Sequence, residues 1–510
     1  MTIKVQEHKK FICLLLTALL IGSLCCGCGT SKEVMAESVA DIDADTDSPE
    51  GQSADDDIVQ DEAGSTAQDE AAVQHEAANV IKEGTENAVQ GDAESSVQGD
   101  GGNYGQSVSG NAMSEDIEVN ARREPVKVRG IYVSGPVAGI DRMDTLIELV
   151  DQTELNAMVI DIKNDEGRVT YKMQSEQVLE IDAGVSYIKD IEELVSKCKE
   201  KNIYLIARIV AFRDPYLAEQ KPEWAVHTKD GNIFRDKSGL AWVNPYKREM
   251  WDYMAEIALQ AADAGFDEIQ FDYIRFSTDL KEDEVDYGEE SENIGKIEII
   301  TEFTKYMYEK LVPQGVYVAA DVFGTVIDNE TDQDIVGQDY VQMAEYLDYI
   351  CPMVYPSHYY SGSYGIAIPD ADPYATIYAA ASSSVQQLQA VPEETRAQVR
   401  PWLQGFTASW VAGHISYGRE QIRAQIKGAY DAGYDEWIVW NAAVKYQPEW
   451  FLTDSEAEAE RQQWDTEQQQ KKAEEERRQK EAEEQRAGEG EQTAVQANEP
   501  QSVKTVSGNE

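Results

Sequence analysis

Three aspartates stand at the ends of apolar runs, where burial would ordinarily exclude a carboxylate. "AMVIDIKND" carries Asp161, "GFDEIQFDYIRFS" carries Asp272 and "VYVAADVFG" carries Asp321. Each run alternates as a strand does. Gln270 and Asp272 share one face. Asp161 shares a face with Ala157 and Val159, and Lys163 follows on it. Asp321 shares a face with Tyr317 and Ala319. A pair of carboxylates flanking a sugar–sugar bond is what glycoside hydrolysis needs: one protonates the leaving oxygen, the other attacks or activates water. Arg208, Arg275, Tyr355, His358, Gln404 and Trp440 sit at comparable strand ends. Lys163 or Arg275 would keep one carboxylate ionised while its partner stays protonated in a drier pocket. The aromatics suit a sugar, because flat rings stack on the C–H faces of pyranoses.

The plainer readings of the same residues are a strand-end Asp that caps the next helix and aromatics that fill a core. Three converging acids could also hold Mg²⁺ or Ca²⁺. His227, His358 and His414 form no HExxH-type arrangement and no GxSxG elbow occurs, so zinc hydrolase and esterase chemistry are weakly supported. The sequence assigns no metal site and no cofactor.

The elements that must position these residues recur in order. Strand-like runs fall at 129–134, 157–163, 203–212, 268–274, 316–323, 349–355, 400–406 and 436–442. Amphipathic helical segments separate them, for example "MDTLIELVDQ", "KREMWDYMAEIALQAADAG" and "GREQIRAQIKGAYDAG"; the last two end in Ala-Gly, a helix stop. Eight strands with seven helical crossovers predict an α/β fold of the (β/α)8 TIM-barrel type. A doubly wound sheet is the rival, but "SGPVAG" after the first strand lacks the spacing of a phosphate turn. In the barrel, Asp161, Asp272 and Asp321 would converge from strands two, four and five at the C-terminal mouth, where barrel enzymes keep their chemistry.

The flanks are of another kind. Residues 1–28 carry Lys4, Lys9 and Lys10 before the run "FICLLLTALLIGSL" and end in "CCGC", which reads as a signal peptide of lipoprotein type with Cys28 lipidated. Residues 29–121 read as a disordered acidic linker: 31–120 hold 23 Asp and Glu against Lys32 and Lys82, with Tyr104 the only aromatic. The barrel is expected over 122–454, and a charged helix fraying into a disordered tail over 455–510. That tail has no apolar a/d seam. The protein is therefore expected at the cell surface or outside the cell, tethered to the membrane. A net charge of −52 over 510 residues excludes nucleic acid as a partner. Cys198 and Cys351 follow no ligand spacing and read as buried small hydrophobes.

"VRGIYVSG", "VIDIKNDEG", "FDEIQFDYIRF", "AADVFG", "MVYPSHY" and "RPWLQGF", in that order, resemble a bacterial family of glycosyl hydrolase domains in the glycosidase TIM-barrel superfamily. The resemblance covers most of 125–452. It implies a barrel acting on an extracellular polysaccharide, with Asp272 as nucleophile or base. A looser likeness to the chitinase strand D-x-x-D-x-D-x-E matches Asp267 and Asp272. Gln270 replaces its second acid and Ile274 stands where its Glu would be, which argues against substrate-assisted chemistry. Asp321 is then the natural acid, with Asp161 a supporting partner. Two other readings stay open. One is an inactive glycan-binding barrel that uses Tyr355, Trp402 and Trp440 as a platform. The other is an envelope scaffold acting through its acidic arms.

Overall fold

The computed structural model describes residues 124–497. The segment 1–28 with Cys28, and the linker 29–121, lie outside the described residues. Eight parallel strands form the centre: β1 (Arg129–Val133), β2 (Ala157–Lys163), β3 (Tyr204–Val210), β4 (Glu268–Asp272), β5 (Tyr317–Phe323), β6 (Tyr349–Met353), β7 (Trp402–Gln404) and β8 (Trp437–Trp440). Each pairs with the next, and β8 pairs with β1 through Gly130 and Ile438. Trp402 opposite Met353 joins β7 to β6, so the sheet closes into a (β/α)8 barrel. Strands β2 to β6 are buried along their whole length. This is why their sequences read as near-continuous Val, Ile, Leu and Ala runs: one face meets the helices and the other fills the pore.

The crossover helices are α1 (Arg142–Asp151), α2 (Ile191–Glu200), α3 (Arg248–Asp263), α4 (Lys296–Leu311), α5 (Glu330–Val336), α6 (Pro373–Gln387) and α7 (Arg419–Asp431). Their starts are written locally. Asp190 caps α2 by accepting from Glu193 N, and Asp372 caps α6 by accepting from Ala375 N, with Pro373 opening the first turn. After α3 and α7 the chain turns back at Gly265 and Gly433, whose φ values of 105° and 102° suit glycine. Strand β7 is shorter than its sequence run. Pro401 has no N–H for a ladder, and Gly405 is pressed so close to β8 that a Cβ there would lie 2.7 Å from Trp440 O.

Two features were not foreseen. A two-stranded antiparallel piece, His227–Thr228 with Val285–Asp286, ties the loop after β3 to the loop after β4. At the opposite end, Arg400 lies buried among strand beginnings. It donates to Glu268 at 2.7 Å and Glu436 at 3.0 Å, and lies 3.8 Å from the Tyr349 ring centre. Tyr204 donates to the other oxygen of Glu268. This plug closes the N-terminal end of the barrel. Cys198 and Cys351 are buried free thiols.

Helix α8 (Asp454–Ala497) follows the barrel. Its first turns are tied down by Arg423, which bridges Glu154 and Glu460, and by Trp464, whose indole donates to Asp431. Among the described residues no helix is long and apolar enough to cross a membrane.

Candidate active site

Arg208 is the hub of the C-terminal end. It lies on β3 between β2 and β4, fully buried, and its guanidinium reaches acids on both sides. Nη1 donates to Asp161 at 2.8 Å; Nε and Nη2 both donate to Oδ2 of Asp272, at 2.9 and 2.6 Å. Asp165, on the loop after β2, takes longer bonds of 3.3 and 3.4 Å. Arg208 was expected to meet substrate. It is instead the fixed cation that gathers three carboxylates. The rings of Tyr132 and Trp440 pack with centres 4.1 Å apart and planes tilted by 34°, and the guanidinium lies 5.8 and 5.4 Å from their centres.

Asp272 is the last residue of β4. The chain then passes through Tyr273 at φ 51°, a left-handed conformation that costs a non-glycine residue of order 1 kcal/mol. Local contacts hold Tyr273 there: its N–H donates to Asp272 Oδ1 at 2.6 Å, and its hydroxyl accepts from Arg213 at 2.7 Å. The strain ends the strand at the carboxylate and turns the backbone N–H onto it.

Asp321 faces the pore from β5. The last paired rungs between β4 and β5 are Gln270 with Ala319 and Phe271 with Ala320. Asp272 and Asp321 come next, level on neighbouring strands and on the same face. Two donors converge on Asp321 Oδ1, the indole of Trp402 at 2.6 Å and the amide of Gln270. Burial, and next the Asp272 carboxylate, push Asp321 well above the usual carboxylate range; the two donors do not offset them. With Oδ1 accepting twice, the proton belongs on Oδ2.

Asp161 is raised to about 6, chiefly by burial, against the pull of Arg208 and the hydroxyl of Tyr132, which donates to it at 2.6 Å. Asp165 moves the other way. Burial would raise it, but Arg208 and Arg213 outweigh burial and hold it below its usual value. Four carboxylates thus face two guanidinium groups, and the surplus is met by protons on Asp321 and, below about pH 6, on Asp161.

Other residues stand apart from where the sequence put them. Lys163 leaves the Asp161 face, because the β2–β3 register shifts between the two positions. Its ammonium binds Asp214 at 2.7 Å and Val210 O at 2.6 Å, inside the wall. Burial lowers its pKa, with Asp214 opposing. Arg275 lies buried against Trp242, Tyr273 and Phe323, and donates to Phe276 O at 3.0 Å. The cation bonded directly to Asp161, Asp165 and Asp272 is Arg208. Trp440 is buried against Tyr132 and Trp402 rather than open at the mouth. Tyr355 and His358 are buried too, packed on each other and on Phe406. Gln404 is a brace: it accepts from Ser357 N and donates to Asp370.

Sequence reasoning missed Asp165, Tyr132 and the roles of Gln270 and Trp402. Gln270 carried a signal, since it shares the face of Asp272. Asp165 carried a weaker one, an acid in the first turn beyond a strand end. Among the described residues no group of His, Cys, Asp and Glu is arranged to hold a metal.

A family model described as "Putative glycosyl hydrolase domain" matches residues 130–446. No curated protein matches the chain. Among solved structures, a hypothetical protein from Ruminiclostridium thermocellum is 39% identical over 38% of this chain and 97% of its own, with TM-score 0.35. The PgaB (BpsB) glycoside hydrolase domain from Bordetella bronchiseptica is 14% identical over 62% of this chain and 94% of its own, with TM-score 0.46. An alpha-galactosidase from Thermus thermophilus, solved with stachyose, is 13% identical over 64% of each chain, with TM-score 0.40.

Proposed function

The chain belongs to the family so described, glycosyl hydrolase domains, and on that premise we propose that its barrel cleaves a polysaccharide by a two-carboxylate displacement, with Asp272 as nucleophile and Asp321 as general acid and base. The observation that carries this reading is the unequal treatment of two neighbouring acids. Asp272 receives two guanidinium N–H groups and a backbone N–H. Asp321 receives only neutral donors and is pushed towards its protonated form. The carboxyl kept towards its protonated form is the acid, and its neighbour on the guanidinium is the nucleophile.

In the first step Asp272 Oδ1, which carries one donor against two on Oδ2, attacks the anomeric carbon. The glycosidic C–O bond breaks, and the leaving oxygen takes the proton from Asp321 Oδ2. In the second step Asp321, now a carboxylate, removes a proton from water as that water attacks the same carbon and releases Asp272. Adjacent parallel strands lie about 4.8 Å apart. Two acids level on such strands favour the short separation of a retaining enzyme, roughly 5–5.5 Å, over the wider one of an inverting enzyme. Asp161, bonded to Tyr132 and Arg208, supports the charge of Asp272 through the shared guanidinium.

The test is the full chain against a panel of polysaccharides, with products resolved by chromatography and the anomer read by NMR at early times. Asp272→Asn should reduce turnover by roughly three orders of magnitude or more, measured at a temperature where the variant keeps the far-UV spectrum of the wild type. Undiminished turnover removes Asp272 from the chemistry; glycan binding with no released sugar favours the inactive binding module.

The Lys4–Lys10 segment, the apolar run and Cys28 support export and tethering at the membrane. Loss of lipid labelling and release of the protein on Cys28→Ser would test that placement.

A further inference from the structure

We propose that the loops after β6 and β7, residues 354–372 and 405–418, form a subsite for an uncharged glycan, with Trp410 and Tyr364 as its stacking rings. This rests on the hydrolase reading and names the substrate class of that site.

Exposure comes first. The aromatics at the strand ends are buried, whereas Trp410 is 41% and Tyr364 is 37% exposed. Each ring is backed by another. Trp410 lies on Phe406 at 5.9 Å with planes 23° apart, and Phe406 in turn packs on Tyr355 and His358. Tyr364 packs on Tyr359 at 5.7 Å. A ring braced from behind and open in front presents a flat apolar surface with little rotamer entropy left to lose.

The backbone is built to present them. Tyr364 holds φ 53° in a turn between Gly362 and Gly365, and a bulky residue in that region signals a constraint worth its strain. The two loops are locked to each other through buried Asp370. It accepts from Gln404 Nε2 at 3.0 Å and from Ile415 N at 3.2 Å, and its backbone oxygen accepts from Tyr417 at 3.0 Å. Gly413 lies so close to Ile368 that a Cβ would fall 2.7 Å from it. Such anchoring is not what an exposed tryptophan on a loose surface loop would have.

The subsite loop follows directly on the strand that serves the acid. Strand β7 supplies Trp402, the indole donor to Asp321, then runs through Gln404 into Phe406 and Trp410. The stacking ring Trp410 is thus carried by the segment that leaves the strand bearing the donor to Asp321.

Charge selects the ligand. No Lys or Arg occurs between Lys310 and Arg396, nor between Arg400 and Arg419. The same stretches hold the exposed carboxylates of Asp328 and Asp372. A uronate or sulfated chain would meet these carboxylates with no Lys or Arg on either loop to offset them. Sugar hydroxyls and C–H faces meet no such penalty.

The experiment is affinity electrophoresis of the full chain through gels containing hydroxyethyl cellulose, xyloglucan, galactomannan or dextran, beside gels containing polygalacturonate or alginate. At least one neutral gel should retard the wild type, and neither polyanion should. Trp410→Ala should lose most of that retardation and Trp410→Phe should keep part of it, both with unchanged melting temperature. Tyr364→Ala should weaken it. Equal retardation of Trp410→Ala and wild type, no retardation in any neutral gel, or Trp410-dependent retardation by a polyanion would overturn the proposal. If Trp410-dependent binding persists but no glycan is ever cleaved, the hydrolase reading fails and the subsite stands. If cleavage occurs and Trp410→Ala binds normally, the reverse holds.

Discussion

Arg208 grips Asp272 by one oxygen: Nε and Nη2 both point at Oδ2, at 2.9 and 2.6 Å, while Nη1 turns away to Asp161. Because the guanidinium is fully buried and shared among three acids, it sets the charge of the whole floor. Removing it as Arg208→Met strands carboxylates away from water. Breaking a buried pair typically costs about 3–5 kcal/mol. Urea unfolding should show a loss of that order at pH 7 and a smaller one as the pH falls and the acids take up protons. Adding Asp165→Asn to Arg208→Met should return part of the loss, since one fewer unpaired charge remains. Strict additivity of the two changes would mean they are not coupled.

The proton on Asp321 has a kinetic signature. Asp321→Asn keeps the shape and can accept no role as acid. Glycosides with poor leaving groups should lose about 10²–10⁴ in kcat/KM, the usual worth of general acid catalysis. Dinitrophenyl glycosides, which need no protonation to leave, should lose much less in the first step. The comparison of the two substrate types checks the assignment; equal losses on both would assign the proton to another group.

Asp161 gives a pH dependence with a definite sign. Folded, it is raised from 3.8 to about 6, mainly by burial. The folded state therefore holds this proton where the unfolded chain has released it. Stability from this group is fully present below about pH 3.8, falls as pH rises through the window to about 6, and is then level. The shift corresponds to roughly 3 kcal/mol. Asp161→Asn should flatten that part of the stability–pH curve, read as the difference in unfolding free energy between pH 4 and pH 7 for variant and wild type.

The strands and long crossover helices are legible in the sequence because a parallel barrel buries both strand faces and one helix face, so hydrophobicity marks each. The inward direction of Asp272 and Asp321 is legible for the same reason, from simple alternation. Three things are not. The shift in β2 that turns Lys163 away from Asp161 leaves no local mark, since either register buries the same apolar residues. The partners of Arg208 come from β2, the loop after it and β4, a convergence that only closure of the ring creates. The burial of Trp440 depends on Tyr132 and Trp402 from the neighbouring strands β1 and β7. Glu268 belongs with these: it shares the inward face of Asp272, but four residues earlier, at the end of the barrel given to stability rather than chemistry.

That separation of ends can be tested at Arg400. Its guanidinium joins Glu268 and Glu436 where β4, β7 and β8 begin, with the Tyr349 ring against it. Burial and then Arg400, which opposes it, decide the state of Glu268: it remains raised above its usual value even with the cation present. Arg400→Met would leave two buried acids facing each other, at a cost of about 3–5 kcal/mol, and unfolding midpoints in urea should fall accordingly. At a temperature where the variant is still fully folded, its kcat/KM should match the wild type, because the plug stands at the strand beginnings and Asp272 and Asp321 stand towards the strand ends. A matching fall in kcat/KM with an intact far-UV spectrum would show that the two ends of the barrel are coupled.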